Sequence, residues 1–181
     1  QGKRAFAMEK LGIPETQIFT CEDTHIDFRK PCIDRLEDYV LACVRAGILY
    51  ESADYHNAVF VGKDETGTAR YAFLRGTYTK GKPFKAEVSG SEKQYCFCLP
   101  PKGKTNRLAV YEAAIETLAH LTLEGSADKW RLSLGGISAP KDGEPSRSFS
   151  FKKPLALESF LGRHPEIEEL EICTNNDFAG R

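Results

Sequence analysis

No apolar run in this chain approaches the length that a bilayer crossing needs, and no charged n-region followed by an apolar h-region opens it. A membrane-spanning helix and a secretory leader are therefore not expected, and the reading is a cytoplasmic protein with no membrane partner. Net charge is equally scarce: 25 Lys and Arg against 26 Asp and Glu leave a formal −1. No global basic field advertises a nucleic-acid binder, so any such contact has to come from a local patch. Paired cysteines are missing too. Among Cys21, Cys32, Cys43, Cys96, Cys98 and Cys173 there is no C-x-x-C pair, and only Cys96 and Cys98 share strand spacing. The scatter reads as free thiols in a reducing compartment rather than as a zinc site or a disulfide frame, so zinc is not expected. Internal repeats and low-complexity tracts are also lacking. The first residue is Gln1 rather than Met, which leads us to expect an excerpt of a longer chain.

What is present is ordinary globular material. The chain has 181 residues, 41% hydrophobic and 28% charged, enough for one large domain or two small ones with a real core. Residues 1–103 read as a helical and then β-rich part. "KRAFAMEKL" (3–11) suggests a short helix stopped by Gly12 and Pro14. Residues 15–30 look irregular; His25 and Asp27 there read as solvated or packed loop residues more readily than as catalytic ones. From Pro31 on, Ile33, Leu36, Val40, Cys43 and Val44 recur at helical spacing, with Gly47 just past the end. "NAVFVG" (57–62) and "ARYAFLRG" (69–76) flank the hairpin loop "KDETG", and "KPFKAEVS" and "QYCFCLP" add further strand candidates.

Pro100-Pro101 and the polar "KGKTN" mark a boundary, and residues 104–181 change character. "RLAVYE" (107–112) is a short apolar run ending in an acid. "AAIETLAHLTLEG" follows as a helix of strong helix formers, then "WRLSLGG" (130–136) as a strand. A polar stretch leads to the helix "PLALESFLGRH" (154–164) and the strand "IEELEICTNND" (167–177). Strands alternating with helices imply βαβ units and a mostly parallel sheet, so the expected class is α/β, with an α+β first part.

Ligands in open α/β sheets bind beyond the carboxyl ends of the strands. Those ends carry Glu112, Gly135-Gly136 and Asn175-Asn176-Asp177. Magnesium takes hard oxygen ligands, and this rim offers them. Glu112 and Asp177 are candidate carboxylate ligands, Asn175 a candidate carbonyl donor, and Glu116, one helical turn beyond Glu112, a supporting acid. An equally simple reading makes them solvated acids at strand-to-helix turns, where Asp and Asn cap helices.

At these residues the chain resembles a Toprim domain, the fold shared by bacterial primases, topoisomerases of types IA and II, and some nucleases. "LAVYEAAIETLAH" resembles the first motif, with Glu112 as its acid; "LSLGGIS" resembles the second strand; Asn175-Asn176-Asp177 then Phe178-Ala179-Gly180 stands where the family has D-x-D followed by a small residue and Gly. The departures are Ala113 for the usual Gly, Glu116 for Asp, and Asn175 for the first Asp of D-x-D. The preceding β-rich part, "VFVGKDETGTARYAFLRGT" and "SGSEKQYCFCLP", resembles the subdomain before Toprim in primase cores. The closest likeness is to Toprim-bearing proteins of bacterial mobile elements, which pair a domain of unknown function with a Toprim domain. It spans roughly residues 25–181, and the family continues past its third motif, so a sheet cut short at the C-terminus is implied.

The resemblance implies a magnesium or manganese site with Glu112 and Asp177 as catalytic acids, nucleotidyl transfer before nuclease chemistry, and partners among single-stranded DNA or RNA, nucleotides and replication proteins. It also gives weight to the basic stretch "RGTYTKGKPFKAEVSGSEK" (75–93), where Arg75, Lys80, Lys82, Lys85 and Lys93 face only Glu87 and Glu92, with Tyr78 and Phe84 between. Arg75, Lys82, Lys85 and Lys93 are the expected nucleic-acid contacts, Arg75 and Lys93 foremost. A solvated lysine-rich loop is the competing reading, as it is for Arg147, Lys152 and Lys153. Asn175 removes one negative charge from the metal set, so a catalytically degenerate scaffold that binds nucleic acid or protein stands as the alternative function.

Overall fold

The computed structural model describes residues 29–78, 80–137 and 153–175. The expected helix over 3–11, the loop with His25 and Asp27, Arg147, Lys152, Asn176 and Asp177 lie outside the described residues. The chain divides into two compact units, Gln1–Arg35 and Leu36–Arg181. The second holds every strand described below, and the junction at 103/104 lies within it.

Helix α1 (Arg29–Arg45) ends where the sequence places Gly47. Gly47 sits at φ +63, its N–H bonds the Val44 carbonyl at 2.9 Å, and Ile48 N–H bonds the Cys43 carbonyl at 3.0 Å. This is a Schellman closure, which a left-handed glycine permits and a β-carbon opposes. Strands β1 (Leu49–Glu51), β2 (Ala58–Lys63), β3 (Ala69–Arg75) and β4 (Lys85–Glu87) then form an antiparallel sheet in the order β1-β2-β3-β4. The hairpin loop between β2 and β3 is tied by Asp64. Its carboxylate accepts from the Thr66 and Thr68 N–H groups at 3.0 Å and from Arg70 Nε at 2.7 Å. The Thr66 hydroxyl and Arg70 guanidinium hold that carboxyl far below the ordinary range.

A single 3₁₀ turn, Lys93–Tyr95, follows, and here the structure departs from the sequence reading. "QYCFCLP" does not extend the first sheet. Its only strand, β5 (Cys98–Leu99), pairs antiparallel with β7 of the second sheet. Alternation alone cannot say which sheet a short apolar run joins. The second sheet runs β5-β7-β6-β8, with β6 (Arg107–Tyr111) parallel to both β7 (Trp130–Ser133) and β8 (Glu169–Ile172). Helix α2 (Ala114–Glu124) connects β6 to β7, and α3 (Leu155–Arg163) precedes β8. The fold is α/β, an antiparallel sheet beside a mixed, mostly parallel one. Among the described residues no helix is long and apolar enough to cross a membrane.

Strand period two divides the core. Phe60, Phe97, Leu99, Leu118 and Leu121 pack with Cys43 of α1 on one side. Leu108, Val110, Leu132 and Leu134 pack with Ala156 and Phe160 of α3 on the other. Phe60 from the first sheet meets Phe97 from the crossing segment edge to face, ring centroids 5.2 Å apart. Such a pair adds roughly 0.5–1.5 kcal/mol to what burial of the rings supplies. Gly62 of β2 lets this happen, because any β-carbon there would collide with the Tyr95 carbonyl.

Gly62→Ala is therefore expected to destabilise the chain by more than about 2 kcal/mol in urea unfolding, since backbone, not a mobile side chain, fills the space. Gly103→Ala, with nothing within 4 Å of its new β-carbon, is the control, expected within about 0.5 kcal/mol of wild type.

Candidate functional site

Because β6, β7 and β8 are parallel, their carboxyl ends meet at one rim. Backbone bonds knit it together. Leu134 N–H reaches the Tyr111 carbonyl at 2.8 Å, Gly136 N–H the Glu112 carbonyl at 2.8 Å, and Cys173 N–H the Val110 carbonyl at 2.9 Å. Glu112, half-buried, stands between the loops: its Oε1 accepts the Asn175 N–H at 2.8 Å. The sequence-expected neighbours Glu112 and Asn175 are thus brought together, through the Asn175 backbone rather than its side chain. Glu116 is turned to its own helix end, where Oε2 accepts the Ala113 N–H at 3.1 Å. That arrangement is half a capping box, with Ala113 as the N-cap.

The rim is also approached from the first sheet. Lys93 Nζ donates to the Gly135 carbonyl at 3.1 Å and lies 3.4 Å from Glu87. Its 3₁₀ turn is braced by α3: the Arg163 guanidinium stacks 5.1 Å over the Tyr95 ring and bonds the Gln94 carbonyl at 3.3 Å. Gly135, at φ +68, has no room for a side chain, since a β-carbon would come within 2.8 Å of Cys96 Sγ and 3.1 Å of the Tyr71 hydroxyl. The Gly135-Gly136 loop is so tied both to the Lys93 ammonium and to the Glu112 backbone carbonyl. The other expected cations lie elsewhere. Arg75 and Lys85 face each other across β3 and β4, and Lys82 lines a separate cavity.

The thiols near this junction are quiet. Burial pushes Cys96 and Cys98 up to about 12, so both stay protonated at neutral pH. Cys43, Cys96, Cys98 and Cys173 are free.

One feature escaped the sequence reading. Behind the rim, between α2 and the sheet, Arg131 and Lys129 are almost wholly buried. Arg131 pairs with Glu124 and bonds the Ser126 carbonyl at 2.8 Å. Lys129 bonds Glu124 at 2.9 Å and Glu171 at 2.7 Å. Tyr111 and His120 share a hydrogen bond of 2.7 Å. One ligand atom each of His120, Glu171 and Cys173 lie within 4.8 Å of one another, and Glu171 already has Lys129 for a partner. A partial signal lies in the two-residue spacing of Lys129, just before β7, and Arg131 within it, which matches that of Glu169 and Glu171 on β8; it gives the alternation of charge and not the burial.

The Lys129 ammonium holds the Glu171 carboxyl below its ordinary 4.5. A depressed carboxyl stabilises the fold fully above its unfolded value and loses that contribution as the pH falls through the folded one. Glu171→Gln should therefore cost stability in urea melts at about pH 7, and the deficit should shrink as the pH falls below 4.5 toward the lowered folded value. An equal deficit at neutral and acid pH would remove the pair from the acid response.

The family described as protein of unknown function (DUF3991) matches residues 36–104, less than half of the chain. No curated protein and no solved structure matches.

Proposed function

We propose that this chain is a primase-like Toprim protein that acts on or binds nucleic acid, with the rim around Glu112 as a magnesium- or manganese-assisted nucleotidyl-transfer site in mobile-element DNA replication. The observation that carries this reading is the meeting of Glu112, the Asn175 end of β8 and Lys93 at the Gly135-Gly136 loop. A hard dication would suit the oxygen donors on offer, the second oxygen of Glu112 and the exposed Asn175 amide, with Asp177 the further acid that the resemblance implies. Glu116 adds a second-layer acid. Bound there, such an ion supplies charge neutralisation on a phosphate group. Lys93, whose ammonium ends on the Gly135 carbonyl, would hold a phosphate oxygen.

One observation favours a second reading, a degenerate scaffold that binds without catalysis. Glu112 and Glu116 each already accept a backbone N–H, so both carboxylates have a structural role with no ion bound.

Titration calorimetry with magnesium and then manganese on the full chain separates the two. Weak binding lost in Glu112→Gln but kept in Lys93→Gln is the expected result, with Lys93→Gln instead weakening nucleoside triphosphate binding several-fold. Absence of dication binding in wild type would overturn the metal-assisted reading in favour of the scaffold.

A further inference from the structure

Away from the rim, the β1–β2 turn and the segment joining β3 to β4 enclose a cavity of about 330 Å³. Tyr55, Tyr78, Phe84, Lys80 and Lys82 line it, with the buried Asn57 beside them. The aromatic rings are on show: Tyr55 is 78% exposed, Tyr78 68% and Phe84 51%. None of them is packed in the core, so packing does not explain their presence.

The turn that presents Tyr55 is strained. Tyr55 and His56 lie at φ +62 and +52, left-handed positions that glycine or asparagine usually fills. Surrounding bonds hold it there. Ser52 N–H reaches the Asn57 carbonyl at 2.9 Å, Asn57 N–H the Ser52 hydroxyl at 3.0 Å, and the Thr77 hydroxyl the His56 carbonyl at 2.8 Å. Opposite, Gly76 N–H bonds the Phe84 carbonyl at 2.9 Å, and a β-carbon on Gly76 would come within 3.0 Å of Phe84 Cβ. The wall is thus built from both sides.

Among the described residues the cavity's cations have no ion-pair partner either. The acids of the basic stretch are engaged elsewhere, Glu87 with Lys93 at 3.4 Å and Glu92 with Arg70 at 3.8 Å. Among the described residues no carboxylate lies within ion-pair distance of Arg75, Lys80, Lys82 or Lys85. Exposed rings between unpaired cations match single-stranded nucleic acid, whose bases offer flat π-faces and whose phosphates alternate with them. The cavity is at the small end of the roughly 300–1,000 Å³ range of ligand pockets, suited to one or two nucleotides rather than a folded partner.

We infer that this cavity is a subsite for single-stranded nucleic acid, in which a base stacks on Tyr55 or Tyr78 and Lys80 and Lys82 take the flanking phosphates. The inference rests on the nucleic-acid part of the proposed function and not on its metal. Phe84 closes the stacking wall, and Arg75 with Lys85 continues the cationic track along β3 and β4.

Fluorescence anisotropy of the full chain with a labelled oligothymidylate, in EDTA at low salt, tests it. Binding is expected without any dication. Tyr55→Ala and Tyr78→Ala should each weaken it by about ten-fold, and Tyr55→Phe should keep it. A Lys80→Gln, Lys82→Gln double variant should lower the salt slope by about 1–1.5. These side chains are exposed, so the variants should keep the wild-type circular dichroism. Failure of the oligonucleotide to bind, or unchanged affinity in both Tyr→Ala variants, would overturn the subsite. So would equal competition by a duplex of the same length, which hides its bases. Binding that needs magnesium and vanishes in Glu112→Gln while Tyr55→Ala is silent would assign the strand to the rim instead. Loss of dication binding at the rim with anisotropy unchanged would remove the metal reading and leave this one standing.

Discussion

The structure turns on a close approach of two backbones. At Gly62 the middle strand of the first sheet comes against the Tyr95 carbonyl, with no space for even a methyl group. That contact fixes where the chain leaves the first sheet for the second. One residue on, Cys96 Sγ lies against Gly135 at the rim; Phe97 drops beneath Phe60; then Cys98 and Leu99 pair with β7. Two glycines, one per sheet, are the points at which side chains had to be absent. Because interiors are close-packed and yield little, a constraint of this kind is transmitted rather than absorbed. The 3₁₀ turn that carries Lys93 is the piece of chain just before the contact, so the position of its ammonium at the Gly135 carbonyl follows from the packing of the two sheets.

What was legible in the sequence followed local chemistry. The helix around Val40 and Cys43 with its glycine end, the hairpin over Asp64, and the strand–acid–helix passage through Glu112 each carry their signal within a dozen residues. Strand β1 did not show, because Leu49–Glu51 is too short for alternation to register. The destination of β5 did not show either, since its partner lies over thirty residues ahead and nothing in "CFCL" distinguishes one sheet from another. Lys129 and Arg131 were hidden for a different reason. A charged residue in a strand pattern reads as solvent-facing, and it takes the fold to bring Glu124 of α2 and Glu171 of β8 onto these two cations and make burial tolerable. Of the candidate site, Glu112 meets the Asn175 backbone and Lys93 ends on Gly135 of the adjoining loop; the remaining cations were grouped with Lys93 by proximity in sequence, and the bend of the β3–β4 segment separates them.

Asn175 weighs most on the proposed activity. Under that proposal, an asparagine in place of an aspartate is read most simply as lost charge at a metal site. Yet the contact that ties β8 to Glu112 is made by the Asn175 backbone N–H, which any residue but proline supplies at that position. An asparagine at this position therefore gives the same backbone tie that an aspartate would, with less negative charge. With Glu112 facing an amide and Lys93 lying on the neighbouring loop, the local balance of charge moves toward the cation. Under the proposed function, a rim of that kind would hold a phosphate at less electrostatic cost than a cluster of three carboxylates would. Binding and catalysis would then be separable properties of one site, the first resting on Lys93 and the glycine loop, the second on how much charge Glu112 can bring to a dication.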